Sequence, residues 1–204
     1  MLVAAAHSPA STALPRRRRR SAAPPSRKTP ESQALRAILR SRVIACLRAQ
    51  ELLVIFAEVG TVLNPEDARK AIRAGAQFLM SPGTVMEILH ALKESEVLYI
   101  PGVLTPTEVI SASSAGAEVV KVYPVSVMGG EVYMLALKKP FPFLPMVASQ
   151  GISIDSIKRY LEAGASAVVL SDAIFDKVLM RERKFDEISE LANLATLRAS
   201  QSGT

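Results

Sequence analysis

One phrase recurs three times in the chain and restricts its architecture more than any other feature. The three copies are "AIRAGAQFLMSPG" (71–83), "SSAGAEVVKVYP" (113–124) and "LEAGASAVVLSD" (161–172). Each ends a helix-like segment, passes through Ala-Gly-Ala and enters an apolar run. Glycine just past a helix is the expected C-terminal stop. An uninterrupted apolar strand after it implies burial on both faces, as in a parallel sheet. Two further strand-like runs, "VLYIPG" (97–102) and "FLPMVAS" (143–149), lie between these units. They lead into "TPTEVISASSAG", with Thr105 or Thr107 as cap, and "SIDSIKRYLEAG", with Ser153 as cap. In "VGTVLNPEDARKAIRAG", Asn64 caps, Pro65 is the first helical residue, and Glu66 and Asp67 occupy the first turn.

Strands alternating with helices of this length specify a parallel α/β architecture. The expected strands are 42–48, 52–60, 77–81, 97–101, 117–123, 144–149 and 166–171. A closed (β/α)8 barrel needs an eighth. A doubly wound open sheet accepts seven, but no G-x-G-x-x-G loop marks a dinucleotide site. The expectation is therefore a TIM-type barrel, incomplete, with about seven strands. On these boundaries only Gln50 and Glu51 separate the first two strands. Neighbouring parallel strands need a crossover of about a dozen residues or more. So short a link permits a hairpin, one long bent strand or a helical first segment, but not two successive barrel strands.

The 204 residues suit one domain, preceded by a leader of different composition. Residues 1–32 are rich in Ala, Ser, Pro and Arg, and residues 1–30 hold seven of the 25 basic residues and no acid. Such a segment reads as a transit peptide for a chloroplast, with a mitochondrion as the alternative. A disordered basic tail, a nuclear signal or a lipid patch are the other readings of the arginine run. The rest of the chain is close to neutral, with 18 bases against 19 acids, so no nucleic-acid surface is expected on it. No apolar run is long enough to span a membrane. The lone Cys46 excludes a disulfide within the chain, and His7 and His90 are too few and too far apart for a histidine zinc site. No histidine or thiolate metal site is expected. The barrel domain is placed at 40–197 and a tail at 198–204. Met80, Met86 and Met146 read as core, "KKPFPFLP" (138–145) as a packed link, and His90 as polar-face helix.

Lys121 is the residue that an apolar strand does not explain. Alternation puts Val119, Lys121 and Tyr123 on one face. Catalytic groups of barrels project from the C-terminal ends of strands, where Lys121 falls. If that face looks inward, desolvation favours the neutral amine, which attacks a ketone carbonyl to form a Schiff base. Alternatively the lysine snorkels to solvent or pairs with a carboxylate. The residues alone do not decide between these.

"GTVLNPEDARKAIRAGAQFLMSPG", "IPGVLTPTEV" and "GAEVVKVYP", in this order and spacing, resemble the 2-keto-3-deoxy-6-phosphogluconate / 4-hydroxy-2-oxoglutarate aldolases, from about residue 40 to about residue 195. The resemblance implies a class I aldolase that needs no metal and no cofactor, on a (β/α)8 barrel, assembled as a homotrimer. It makes Lys121, in Lys121-Val122-Tyr123-Pro124, the Schiff-base nucleophile. It puts Thr61, Pro82 and Tyr123 around a pyruvate unit, and gives Arg48 an anion-binding role. The implied reaction cleaves a 2-oxo-4-hydroxy acid to pyruvate and an aldehyde.

Three departures from that family follow. The second-strand phrase "L-E-[IV]-T-x-R-T", with its glutamate and arginine, is missing. Its helix–strand–helix unit would fall between residues 49 and 53, and Glu51 and Glu58 are the nearest carboxylates. The phosphate phrase "T-G-G-I" reads Ser149-Gln150-Gly151-Ile152, which keeps Ser149 and Gly151 as binding candidates. The phrase "G-G-S" reads Ser171-Asp172-Ala173, where a carboxylate repels a phosphodianion unless it points away or caps the next helix. These changes imply an unphosphorylated substrate such as 4-hydroxy-2-oxoglutarate, giving pyruvate and glyoxylate. A weakly active or inactive shortened subunit and a non-enzymatic phosphate-binding barrel are the alternatives.

Overall fold

Asn64 and Thr105 show why helices start where they do. The Asn64 side chain accepts from the Asp67 N–H at 2.9 Å, with Pro65 as the first helical residue. Of the two candidate threonines, Thr105 is the cap. Its hydroxyl accepts from the Glu108 N–H, and the Glu108 carboxylate accepts from the Thr105 N–H at 2.7 Å, a reciprocal capping box. Ser153 precedes a 3-10 turn at residues 154–156 that runs into the next helix. Glycines 75, 116 and 164 of the three Ala-Gly-Ala phrases all have positive φ, between 95° and 107°. A side chain is strained there, which is why glycine ends each of these helices.

The computed structural model describes residues 32–46, 58–93 and 95–202. In chain order the elements are α1 (Gln33–Ser41), β1 (Val43–Ala45), β2 (Glu58–Gly60), α2 (Pro65–Arg73), β3 (Phe78–Met80), α3 (Met86–Ala91), β4 (Leu98–Ile100) and β5 (Gly102–Val103). Then come α4 (Pro106–Ser114), β6 (Val120–Val122), α5 (Gly130–Lys138), β7 (Met146–Ser149), α6 (Ile157–Glu162), β8 (Ala167–Leu170), α7 (Lys177–Arg181) and α8 (Phe185–Ser200). All pairings are parallel, in the orders β1-β8-β7-β6-β5 and β2-β3-β4. Strands β4 and β5 are one chain segment interrupted at Pro101, which has no N–H to give a ladder. Its first half pairs with β3 and its second with β6. Counted so, the described residues hold seven strands of an α/β barrel, as expected.

The seam lies between β1 and β2, which do not pair among the described residues. Strand β1 is shorter than expected, with Arg42 and Cys46 outside it, and β2 is described from Glu58, inside its expected span. Residues 47–57, which include Arg48, Glu51 and most of the expected second strand, lie outside the described residues.

Alternation sorts the buried side chains into two cores. Ile44, Met80, Leu98, Ile100, Val119, Val147 and Val169 form an inner cluster. Leu79, Val120, Val122, Met146, Val168 and Leu170 pack outward against the helices. Helix α1, upstream of the expected boundary at residue 40, adds Leu35 and Ile38 to the inner cluster. Phe141 and Leu144 of the Pro/Phe link pack against the outer core as expected, whereas Phe143 is 97% exposed. Lys138 donates to the carbonyls of Phe141, Pro142 and Leu144, so polar contacts also shape the link.

Candidate active site

Lys121 stands in β6 with Val120 and Val122 facing outward on either side. It is therefore on the inner face with Val119, as alternation requires. Parallel pairing puts it level with Gly102 on one side and Val147 on the other. At 8% exposure the side chain does not reach bulk solvent, which removes the snorkelling alternative. Its Nζ lies 5.1 Å from the centroid of the Tyr123 ring, within the range of a cation–π contact.

A cavity of about 550 Å³ opens above this lysine, at the C-terminal ends of the strands. Thr61, Pro82, Lys121, Tyr123, Ser149 and Gly151 all line it. Six of the seven residues singled out in the sequence are thus brought together, and the seventh, Arg48, lies outside the described residues. The strand ends explain the gathering. Thr61 follows β2, Pro82 follows β3, Lys121 and Tyr123 flank the end of β6, and Ser149 closes β7.

The turn after β7 has a definite shape. Gln150 and Gly151 both have positive φ, 84° and 70°. A side chain at Gly151 would run into Ser126, so glycine is required there. The Gln150 carboxamide oxygen accepts from the Ser126 hydroxyl at 2.5 Å. The extra side chain is thereby tied to the segment that follows β6. The turn after β8 places Asp172 on the cavity wall, exposed. The cap of α7 is Asp176, whose carboxylate accepts from the N–H groups of Val178 and Leu179. The alternative of Asp172 as a helix cap is therefore corrected.

Cys46 and Met80 also line the cavity, and neither was singled out as a site residue. Met80 is core as expected, but on the inner face, where core and cavity floor meet. Cys46 could have been found from its place: it is the first residue past β1, the level at which the other strands deliver their groups. Chemically, the arrangement is a buried amine under a small chamber with hydroxyl groups and backbone on its walls. Such an amine can capture a carbonyl.

The family model described as KDPG and KHG aldolase matches residues 33–191. A "2-dehydro-3-deoxy-phosphogluconate aldolase" of Treponema pallidum (strain Nichols) is 34% identical over 126 residues, 62% of this chain and 60% of the relative. A "KHG/KDPG aldolase" of Escherichia coli (strain K12) is 31% identical over 153 residues, 72% of this chain and 69% of the relative. The chain thus spans less than two thirds of the length of the first of these. The crystal structure of a KDPG aldolase from Legionella pneumophila, with pyruvate captured as a covalent carbinolamine, shares the fold. Its TM-score is 0.63 at 24% identity, covering 76% of this chain and 83% of that one. With strand order, cavity and family model in agreement over most of its length, this chain belongs to the KDPG and KHG aldolase family.

Proposed function

We propose that the protein is a class I aldolase in which Lys121 attacks the C2 carbonyl of a 2-oxo-4-hydroxy acid. The observation that carries this is the buried Lys121 on the inner face of β6, under a cavity that Thr61, Pro82 and Tyr123 also line. Addition of the amine gives a carbinolamine, and loss of water gives an iminium. The C4 hydroxyl loses its proton and the C3–C4 bond breaks. Its electrons move to the iminium nitrogen, leaving an enamine of pyruvate and a free aldehyde. Protonation at C3 and hydrolysis release pyruvate and restore the amine. The covalent pyruvate of the Legionella relative supports this chemistry.

The substrate we favour is unphosphorylated, with glyoxylate as the aldehyde from 4-hydroxy-2-oxoglutarate. Asp172 on the cavity wall and Gln150 in place of a glycine support it, because a carboxylate at close range opposes a phosphodianion. Borohydride reduction in the presence of pyruvate tests the core of the proposal. A stable adduct on Lys121, located by mass spectrometry, is expected. Its absence sinks the reading.

A second reading has its own observation, the seam between β1 and β2. In that reading the chain is a shortened subunit that captures pyruvate but turns over slowly, or that joins full-length subunits. Exposed Val127, Val132 and Leu135 on and before α5 offer an apolar patch for self-association, and the assembly proposed is a homotrimer. Light scattering of the full chain checks it. The composition of residues 1–32 supports delivery to a plastid. A fluorescent reporter fused behind those residues, found in mitochondria instead, would overturn that.

A further inference from the structure

Two hydroxyl groups are buried in the outer wall beside the cavity, where hydrocarbon would pack as well. Tyr99, in the middle of β4, is 5% exposed and packs in the outer core. Ser81, directly after β3, is fully buried. The Tyr99 hydroxyl donates to Ser81 Oγ at 2.8 Å and accepts from the Val85 N–H at 3.1 Å. Ser81 in turn donates to the Val62 carbonyl at 2.5 Å. Burying a hydroxyl without partners is costly, whereas phenylalanine would fill nearly the same volume at no such cost. Here both hydroxyls are in use.

The groups they join are the ones next to the site. Val62 follows Thr61, and Ser81 precedes Pro82. Val85 ends the loop that carries Pro82 and opens α3. One phenol oxygen therefore grips both ends of the 81–85 loop, and Ser81 ties that loop to the segment after β2. The Thr84 hydroxyl donates to the Gly102 carbonyl at 3.0 Å, and the Gly102 N–H donates to the Gly83 carbonyl at 3.2 Å. A side chain at Gly102 would run into the Pro82 backbone. The loop is thus pressed onto β5 beside Gly102, the residue in register with Lys121. Burial pushes the Tyr99 phenol up from its ordinary value, against its bonds to Ser81 and Val85, so it stays a donor at neutral pH.

We propose that Tyr99 and Ser81 are positioning residues, a hydrogen-bonded strap that holds Thr61 and Pro82 at the height of Lys121 and so sets affinity for the 2-oxo acid. This rests on the reading of Lys121 as the pyruvate-capturing amine. In the full chain, Tyr99→Phe removes the bonds to Ser81 and Val85, and Ser81→Ala those to Tyr99 and Val62. The pyruvate concentration for half-maximal borohydride trapping at Lys121 rises by about 10- to 100-fold in each. The trapping rate at saturating pyruvate stays unchanged. The rise in the double variant is less than the product of the two single rises, because the Tyr99–Ser81 bond is lost in both. Half-saturation unmoved in both single variants, or a fall in the saturated rate alone, overturns the proposal. Hydrogen exchange by mass spectrometry separates this from the fate of the aldolase reading. If the wild-type chain captures no pyruvate, that reading fails. The strap then stands on faster exchange confined to residues 61–62 and 81–85 in Tyr99→Phe. Unchanged exchange, or faster exchange spread evenly along the chain, overturns the strap.

Discussion

The barrel has two unlike halves. Strands β6, β7 and β8 are paired on both sides and buried throughout. They carry Lys121, Tyr123 and Ser149. Strands β1 and β2 each pair on one side only among the described residues, and the residues between them lie largely outside those described. In the function proposed above, the closed half holds the capturing amine, Lys121, and the second reading places the lack of a proton shuttle at the seam. On that proposal capture and turnover are separate demands, divided between the two halves.

The largest effect belongs to the closed half. Lys121→Met keeps an unbranched side chain of similar length in a buried place and removes the nucleophile. Borohydride trapping with pyruvate is expected to disappear entirely while the circular dichroism spectrum is retained. Trapping that persists in this variant would move the chemistry to another amine and end the division of labour.

The open half predicts a gap between two half-reactions. Removing a positioned acid or base costs about 10²- to 10⁴-fold in rate. Pyruvate capture should therefore proceed readily, while cleavage of 4-hydroxy-2-oxoglutarate lags it by a factor of that order. Single-turnover measurements of both steps on one preparation read the gap. Equal rates would mean that the open half holds a shuttle after all, with Glu58 of β2 the first residue to replace.

How far each half could be read from the sequence follows from how its elements are signalled. The closed half was legible because its signals are local. Glycines 116 and 164 end helices, β8 is apolar throughout and β7 up to its last residue, and one lysine interrupts an apolar face. The ordered phrases then added Thr61, Pro82 and Ser149, which periodicity alone does not distinguish from packing. The strap was not legible. A serine before proline and a tyrosine in an apolar strand look ordinary, and their bond spans eighteen positions. Helix α1 was missed because "QALRAILRS" adjoins the basic leader, and only the inner cluster shows that Leu35 and Ile38 are buried. The second strand was legible only at its end, where the described ladder runs from Glu58 opposite Phe78 to Gly60 opposite Met80; residues 52–57 of the expected span lie outside the described residues.

A smaller effect concerns the aldehyde end of the cavity. Asp172 is exposed, so its repulsion of an anion is screened and amounts to about tenfold. Asp172→Asn should improve inhibition of pyruvate trapping by an organic phosphate about tenfold at low salt, and less at high salt. An unchanged inhibition constant would place the phosphate preference in the Gln150 turn instead.

The smallest effects compare the halves through their helix caps. Thr105 caps α4, after β5 in the larger sheet, and Asn64 caps α2, after β2 beside the seam. Loss of such a cap typically costs about 1 kcal/mol. In a chain of this size that corresponds to a fall in Tm of about 2–4 °C. Thr105→Ala should show this in full, because α4 packs against β5 and β6 and unfolds with them. Asn64→Ala should shift Tm less and show instead as faster hydrogen exchange in α2, since local opening draws on the least supported elements. The α4 cap is also sensitive to acid. The backbone N–H of Thr105, followed by that of Leu104 and the Thr105 hydroxyl, holds the Glu108 carboxyl below its usual range against a smaller effect of burial. A lowered folded-state value means that its contribution is complete above the ordinary carboxylate pKa. It is lost as pH falls through the folded value. The destabilisation caused by Glu108→Gln should therefore be present at pH 7 and fade towards pH 3, read as the difference in urea midpoint from wild type. Equal Tm shifts from the two cap variants would show that the barrel unfolds as one unit despite its seam, and that the two halves differ in chemistry but not in stability.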